Sequence, residues 1–150
     1  MNRRDIAKLG TKATLFVRIW MWFAIVTVLL RLRPLPDLVR QLATTRGSAD
    51  SPVAPARLGR AVWRSLSVAR YRPRCLTSSL VLVRLLAEQG QPADLVLGLP
   101  LEARDNRAHA WIEIDGVDVG PPPGKNGHQE LARYMVGPGP TGVGSVTDMR

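Results

Sequence analysis

Residues 75–89 constrain the fold more than any other stretch of this chain, because they predict one largely buried helix. Their apolar residues recur at helical spacing, and further ones widen the stripe until only a narrow polar face remains. Pro73 cannot continue a preceding helix, and Gly90 is a typical C-terminal stop. A chain of 150 residues is large enough to bury such a helix in a single core.

Cys75, the only cysteine, begins this helix. Unpaired backbone N–H groups and the positive end of the helix dipole favour a thiolate there, and two flanking arginines add to the effect. An inert buried cysteine is the common alternative. The position at a helix start favours a reactive thiol. One cysteine also excludes an intrachain disulfide and a Cys-rich zinc site, and we expect no cofactor.

The net charge of +9 is unevenly distributed. Residues 1–74 carry 15 Lys and Arg against 3 acidic residues, whereas residues 75–150 carry 6 against 9. The basic half should attract anionic surfaces such as phospholipid headgroups, an acidic peptide or nucleic acid. Its arginines are scattered among apolar residues and no recognition motif for DNA or RNA appears, so we expect no nucleic-acid partner.

The N-terminal region predicts a helical arm. Residues 1–12 are polar and basic, and we expect them to be frayed. Residues 15–30 are apolar except at Arg18, and the twelve uncharged residues after it are fewer than the ~20 of a membrane span. This length suits a deeply buried or interfacial helix. Tryptophans and flanking arginines leave membrane association through residues 13–33 open. A second short helix is predicted at 37–43.

Composition divides the chain into four segments. Residues 1–45 form the arm, and the polar stretch at 46–55 is a linker. The predicted core covers residues 56–136 and opens with an amphipathic helix at 56–71. Residues 137–150 are rich in Gly and Pro and predict a flexible tail.

The second half of the core predicts a small antiparallel sheet. Residues 94–99 are a continuous apolar run of strand length. Strands at 108–114 and 117–119 flank Asp115-Gly116, a strong signal for a two-residue hairpin. A short helix is expected at 129–135.

His109 lies on the first hairpin strand, on the same face as Trp111 and Glu113. A cysteine at a helix start and a histidine on a strand suit thiol catalysis, because imidazole can take the thiol proton and return it to a leaving group. The backbone N–H of Cys75 would then lie near a developing oxyanion. An ordinary strand histidine is the alternative. His128, in a Gly-rich loop, is interpreted as solvated.

Residues 55–119 resemble the standalone transglutaminase-like leader peptidase of lasso-peptide biosynthesis. Three segments in order carry the resemblance: Arg74-Cys75-Leu76 with Ser79-Leu80 and Leu85-Leu86; Gly90-Gln91-Pro92-Ala93 with Leu95-Val96-Leu97-Gly98; and Ala108-His109-Ala110-Trp111-Ile112-Glu113 with Asp115-Gly116. The apolar arm is similar as well. The resemblance implies an α+β, papain-like cysteine peptidase fold, in which a central helix packs on a small antiparallel sheet.

The same resemblance implies Cys75 as the nucleophile and His109 as the base in a cytoplasmic enzyme. The reaction would remove the leader from a ribosomally made precursor peptide. A separate leader-recognition protein would present that precursor, and a lasso cyclase would act afterwards.

One departure concerns the third catalytic residue. The family usually completes a triad with an aspartate at the position that Pro121 occupies here. Asp118 is the nearest candidate, but in a two-residue hairpin it pairs with Glu113, about 13 Å along the strand from His109 at ~3.3 Å per residue. Asp118 would reach the ring only through a bulge or a different register. Otherwise a backbone carbonyl, Asn126 or Gln129 orients the ring, or the enzyme is a weakened dyad.

Two other functions fit the same residues. One is a catalytically inactive transglutaminase-like scaffold that binds biosynthetic partners at a membrane. The other is an acyltransferase that uses Cys75 and His109 to transfer an acyl group to an amine.

Overall fold

Four helices and a four-stranded antiparallel sheet make up the described part of the chain. The computed structural model describes residues 3–44, 52–67, 74–102, 108–120 and 124–136, with side chains in the first helix from Lys12 onward. The helices are α1 (Arg3–Leu32), α2 (Leu35–Ala43), α3 (Pro55–Leu66) and α4 (Cys75–Ala87). The strands are β1 (Ala93–Pro100), β2 (His109–Ile114), β3 (Val117–Asp118) and β4 (His128–Val136), in the order β3-β2-β1-β4. The predicted α+β class is confirmed.

α4 lies at the centre of the fold, as its apolar pattern predicts. It contacts the other three helices and strands β1 and β2, and nine of its thirteen residues are buried. The helix ends at Ala87, and Gly90 adopts a φ of +68°, a left-handed conformation that glycine takes without steric cost. Buried residues of all four helices, β1 and β2 form one apolar cluster around α4.

α1 differs from its prediction in length and in burial. The helix begins at Arg3, so the expectation of a frayed segment is wrong for residues 3–12. Among the α1 side chains that are described, from Lys12 onward, only Ile19 and Val26 are fully buried, so the deeply buried alternative is wrong and the interfacial one stays a prediction. Lys12–Leu32 is long and apolar enough to cross a membrane by length and composition, and 11% of it is buried. The helix therefore lies on the surface of the core.

Polar contacts attach α1 to α4 at Glu88, just after the C-terminal end of α4. Arg18 forms an ion pair with this carboxylate, and Trp22 Nε1 donates a hydrogen bond to it over 3.1 Å. The Arg84 guanidinium lies over the Trp22 ring at 4.5 Å and also bonds to Glu88 over 3.1 Å. The position of α1 on the core is thus held by specific contacts as well as by apolar packing.

The predicted helices at 37–43 and 56–71 correspond to α2 and α3. The C-terminal part of the second prediction, 68–71, lies outside the described residues, as do 46–51 of the predicted linker and the predicted tail at 137–150. Buried residues of α1 and α2 belong to the same cluster as those of the predicted core. The division into arm, linker, core and tail stays a prediction.

The sheet contains the predicted hairpin and one strand that was not predicted. Asp115 and Gly116 have φ values of +50° and +75°, as a two-residue hairpin turn requires, and Glu113 pairs with Asp118. The helix expected at 129–135 is wrong, because these residues lie in β4 and pair with β1. The sequence of 129–135 contains good helix formers, but pairing with the largely buried strand β1 outweighs their local helix propensity.

Candidate active site

Cys75 is the first residue of α4, and its half-buried thiol lies against the start of β2. A hydrogen bond with the His109 side chain is the largest cause that lowers the pKa of Cys75 below its ordinary value. Burial opposes this shift, while the backbone of Ala110 and Leu76 and the charge of His109 support it. Sγ also lies 3.9 Å from the carbonyl oxygen of Ala108. The two residues singled out in the sequence are therefore brought together.

A second contact between α4 and β2 sets their relative position. Ser79, one turn after Cys75, donates a hydrogen bond from Oγ to the carbonyl oxygen of Ala110 over 3.1 Å. Ala110 follows His109 directly, and both Ser79 and Ala110 are buried. This bond lies one helical turn from Cys75 and one residue from His109. It therefore fixes the position of the start of α4 along β2, and with it the position of the thiol relative to the imidazole.

The His109 ring packs in a cluster of aromatic rings. It stacks on Trp111, with ring centroids 6.2 Å apart, and lies 5.1 Å from the His128 ring. Gly124 approaches from the adjoining loop: a Cβ there would lie 2.6 Å from His109 Cδ2. A Cβ at Gly98 would likewise lie 2.8 Å from carbons of the Trp111 ring, so this glycine leaves room for the ring. Two glycines thus permit the packing that holds the imidazole.

His128 was missed as a member of the site. It is half-buried at the start of β4 and pairs with Pro100, so its interpretation as a solvated loop residue is wrong. Its Nδ1 lies 2.8 Å from the carbonyl oxygen of Gly124 and must carry the proton, since a carbonyl oxygen only accepts. The sequence gives no signal for this contact, because it depends on β4 being a strand.

Asp118 organises the loop that follows β3. Its carboxylate accepts hydrogen bonds from the backbone N–H groups of Gly120 at 3.0 Å, Gly124 at 2.6 Å and Lys125 at 3.1 Å. The carboxylate thereby fixes Gly124 where it packs against His109. Of the other suggested orienting residues, Asn126 and Gln129 have exposed side chains. Pro121, which occupies the position of the family's aspartate, lies outside the described residues.

A buried carboxylate holds Trp111 below the imidazole. Glu113 is 2% exposed and accepts hydrogen bonds from Trp111 Nε1 at 2.9 Å and from Arg133 at 3.0 Å. Arg133 also binds Asp94 at 2.8 Å and Glu130 at 2.7 Å. Hydrogen bonding to Arg133 lowers the pKa of Glu130, and these carboxylates raise the pKa of Arg133. The network joins β2, β1 and β4 on the face that carries His109.

The thiol and the imidazole line a small cavity with a volume of about 30 Å³. α4 contributes Ser78, Ser79 and Leu82, and α3 contributes the opposite wall through Gly59, Val62 and Trp63. A cavity of this volume has room for a water molecule beside the thiol rather than for a substrate side chain. Within the described ranges, no group of three or more His, Cys, Asp or Glu could hold a metal ion.

The cysteine at the start of the central helix forms a hydrogen bond with a histidine on the antiparallel sheet. This arrangement is typical of proteins whose chemistry uses a thiol–imidazole pair. A family model described as the transglutaminase-like superfamily matches residues 20–134, and the chain belongs to that superfamily. The superfamily is generally cysteine peptidase-like. Neither the curated proteins nor the solved structures gave a match.

Proposed function

We propose that this chain is a cysteine peptidase, with Cys75 as the nucleophile and His109 as the general base and acid. The observation that supports the proposal is that the Cys75 and His109 side chains line one cavity, where His109 lowers the pKa of the thiol. A half-buried thiol at a cavity wall can meet a substrate carbonyl while staying partly shielded from water.

The proposed reaction has two steps. The Cys75 thiolate attacks the scissile carbonyl carbon, a C–S bond forms, and the C–N bond breaks as His109 gives its proton to the leaving amine. His109 then takes a proton from water, the hydroxide attacks the thioester carbon, and the C–S bond breaks, which releases the carboxylic acid and restores the Cys75 thiolate and the protonated His109. The backbone N–H of Cys75, at the start of α4, would stabilise the oxyanion in both steps.

Asp118 is proposed as a positioning residue. Its carboxylate accepts three backbone N–H bonds in the loop that places Gly124 against the His109 ring. Loss of that carboxylate should loosen the loop and let the imidazole leave its alignment with Cys75. In this role it acts through the backbone.

The proposed substrate is the leader–core junction of a ribosomally made precursor peptide in lasso-peptide maturation. The resemblance of residues 55–119 to the standalone leader peptidases supports this assignment. A separate leader-recognition protein would present the precursor, and a lasso cyclase would act on the released core peptide. We place the enzyme in the cytoplasm, with the exposed apolar face of α1 available to a membrane surface.

A cleavage assay tests the proposal. The purified chain is incubated with the cognate precursor and its leader-recognition partner, and products are followed by mass spectrometry. Cys75→Ala should abolish cleavage, and His109→Gln should reduce its rate by roughly 10²–10⁴-fold. His128→Gln is the matched control, since it removes an imidazole of the same cluster, and should reduce the rate by a much smaller factor.

Three outcomes would contradict the proposal. Cleavage by Cys75→Ala would show that another group is the nucleophile. Transfer of the acyl group to an added amine, with little hydrolysis, would identify an acyltransferase. Absence of any acyl chemistry in the presence of the partner would favour the scaffold.

A further inference from the structure

A groove between α1 and α3 lies apart from the thiol cavity, and we call it the α1–α3 groove. It has a volume of about 670 Å³, within the range of protein ligand sites. Its apolar lining includes Leu15, Phe16 and Ile19 of α1. Phe16 is 45% exposed, so part of its ring faces solvent beside the other apolar residues of the lining.

Four cations surround this apolar lining: Lys12 of α1 and Arg57, Arg60 and Arg64 of α3. Among the residues whose side chains the structure describes, no acidic one lines the groove, and none of their ion pairs uses these four cations. Arg60 and Arg64 are four residues apart on one helix, where like charges repel each other and destabilise the helix. An anionic ligand would remove this repulsion.

α3 forms a wall of both the groove and the thiol cavity. Gly59, Val62 and Trp63 line the cavity with Cys75, whereas Ala61 and the three arginines line the groove. The width of one helix, about 10 Å, therefore separates the two sites. An extended peptide of a few residues can cross this distance.

We propose that the α1–α3 groove binds an acidic, amphipathic segment of the peptide substrate, remote from the bond that is cleaved. Apolar side chains of that segment would enter the groove, and its Asp and Glu side chains would pair with the four cations. This inference rests on the proposed peptidase function and adds an exosite to it. The concave site between two helices fits a peptide better than a flat lipid surface.

Peptide binding tests the groove independently of catalysis. The full chain carrying Cys75→Ala is titrated into a fluorescein-labelled synthetic peptide with Leu and Glu at helical spacing, and fluorescence anisotropy is measured. A matched peptide with Gln in place of Glu should bind at least about tenfold more weakly, because it lacks charge complementarity.

Matched variants locate the binding site. Arg60→Glu with Arg64→Glu should raise the Kd for the acidic peptide at least about tenfold. The control pair Arg31→Glu with Arg33→Glu makes the same change in net charge at the other end of α1 and should leave the Kd within about twofold. Circular dichroism confirms that each variant is folded.

Phe16→Ala tests the apolar lining in the same way. Its control is Met21→Ala, since Met21 is 47% exposed on α1 but does not line the groove. Phe16→Ala should weaken binding about tenfold, by removing apolar contact area. Met21→Ala should have little effect.

Equal weakening by both double variants would overturn the proposal, because it would show attraction to net charge alone. Displacement of the peptide by phosphatidylcholine–phosphatidylserine vesicles or by single-stranded RNA would also overturn it, in favour of a lipid or nucleic-acid surface. The peptide titration uses Cys75→Ala, so its result does not depend on the thiol. Failure of the peptidase proposal is instead read from loss of Cys75 reactivity in the chain that retains its cysteine.

Discussion

Replacement of Arg133 by Met should destabilise the sheet, because it removes a charged partner from a buried carboxylate. Arg133 is the principal cationic partner of Glu113, whose side chain is 2% exposed. In Arg133→Met, Glu113 keeps the Trp111 N–H and a distant Lys125 ammonium at 3.9 Å. A charged carboxylate would then be buried with too few partners.

The magnitude follows from the contacts that are lost. Removing one partner of a buried ion pair costs about 3–5 kcal/mol, and hydrogen bonds to charged groups contribute about 1.5–3 kcal/mol each. Arg133 is partly exposed and Lys125 remains nearby, so the lower end applies, and we expect a loss of about 3 kcal/mol. For a domain of this size that lowers Tm by roughly 6–12 °C.

Urea denaturation followed by tryptophan fluorescence measures this loss. The midpoint should fall while the m-value stays constant, since the surface exposed on unfolding is unchanged. The double variant Glu113→Gln with Arg133→Met should recover part of the stability, because it buries no unpaired charge. A loss below about 1 kcal/mol for Arg133→Met, or no recovery in the double variant, would refute the reasoning.

Three further predictions concern neighbouring parts of the site. Ser78 Oγ is buried without a hydrogen-bond partner among the described residues, so Ser78→Ala should stabilise the chain by about 0.5–1 kcal/mol. Ser79→Ala removes a buried hydrogen bond to β2 and should destabilise the chain by about 1–2 kcal/mol. A reversed order of the two variants in thermal unfolding would contradict this. Gly98→Ala should cost about 1–3 kcal/mol in chemical denaturation, because its Cβ would overlap the Trp111 ring, and a neutral result would exclude that overlap. Asp118→Ala should lower kcat with little change in KM, and Asp118→Asn should restore part of it; an equal rise in KM would indicate a substrate contact instead.

The central helix and the hairpin could be predicted because their signals are local. α4 is apolar around most of its circumference and is bounded by Pro73 and Gly90. The hairpin turn is specified by Asp115-Gly116, which must adopt positive φ. The strand β4 could not be predicted, since its residues favour a helix and only pairing with β1 makes them a strand.

The candidate active site also contains some residues that local signals in the sequence predict and others that depend on how distant segments pack. Cys75 stands out because a helix start activates a thiol, and His109 stands out on a strand beside a strong turn signal. The contributions of His128, Gly124 and the α3 wall depend on how distant segments pack, and no spacing in the sequence reports them. The length of the uncharged run in α1 was a poor guide to burial, because burial depends on what packs against the helix.

The rate of Cys75 alkylation by iodoacetamide as a function of pH tests the activated thiol most directly. The hydrogen bond with His109 lowers the pKa of Cys75, so the wild-type chain should react fully at a pH where free cysteine is still mostly protonated. In His109→Ala the midpoint of the reaction should move to higher pH. Below that midpoint, each unit by which the pKa of Cys75 rises lowers the thiolate fraction tenfold. Identical midpoints in the two proteins, or a wild-type thiol no more reactive than free cysteine, would contradict the account.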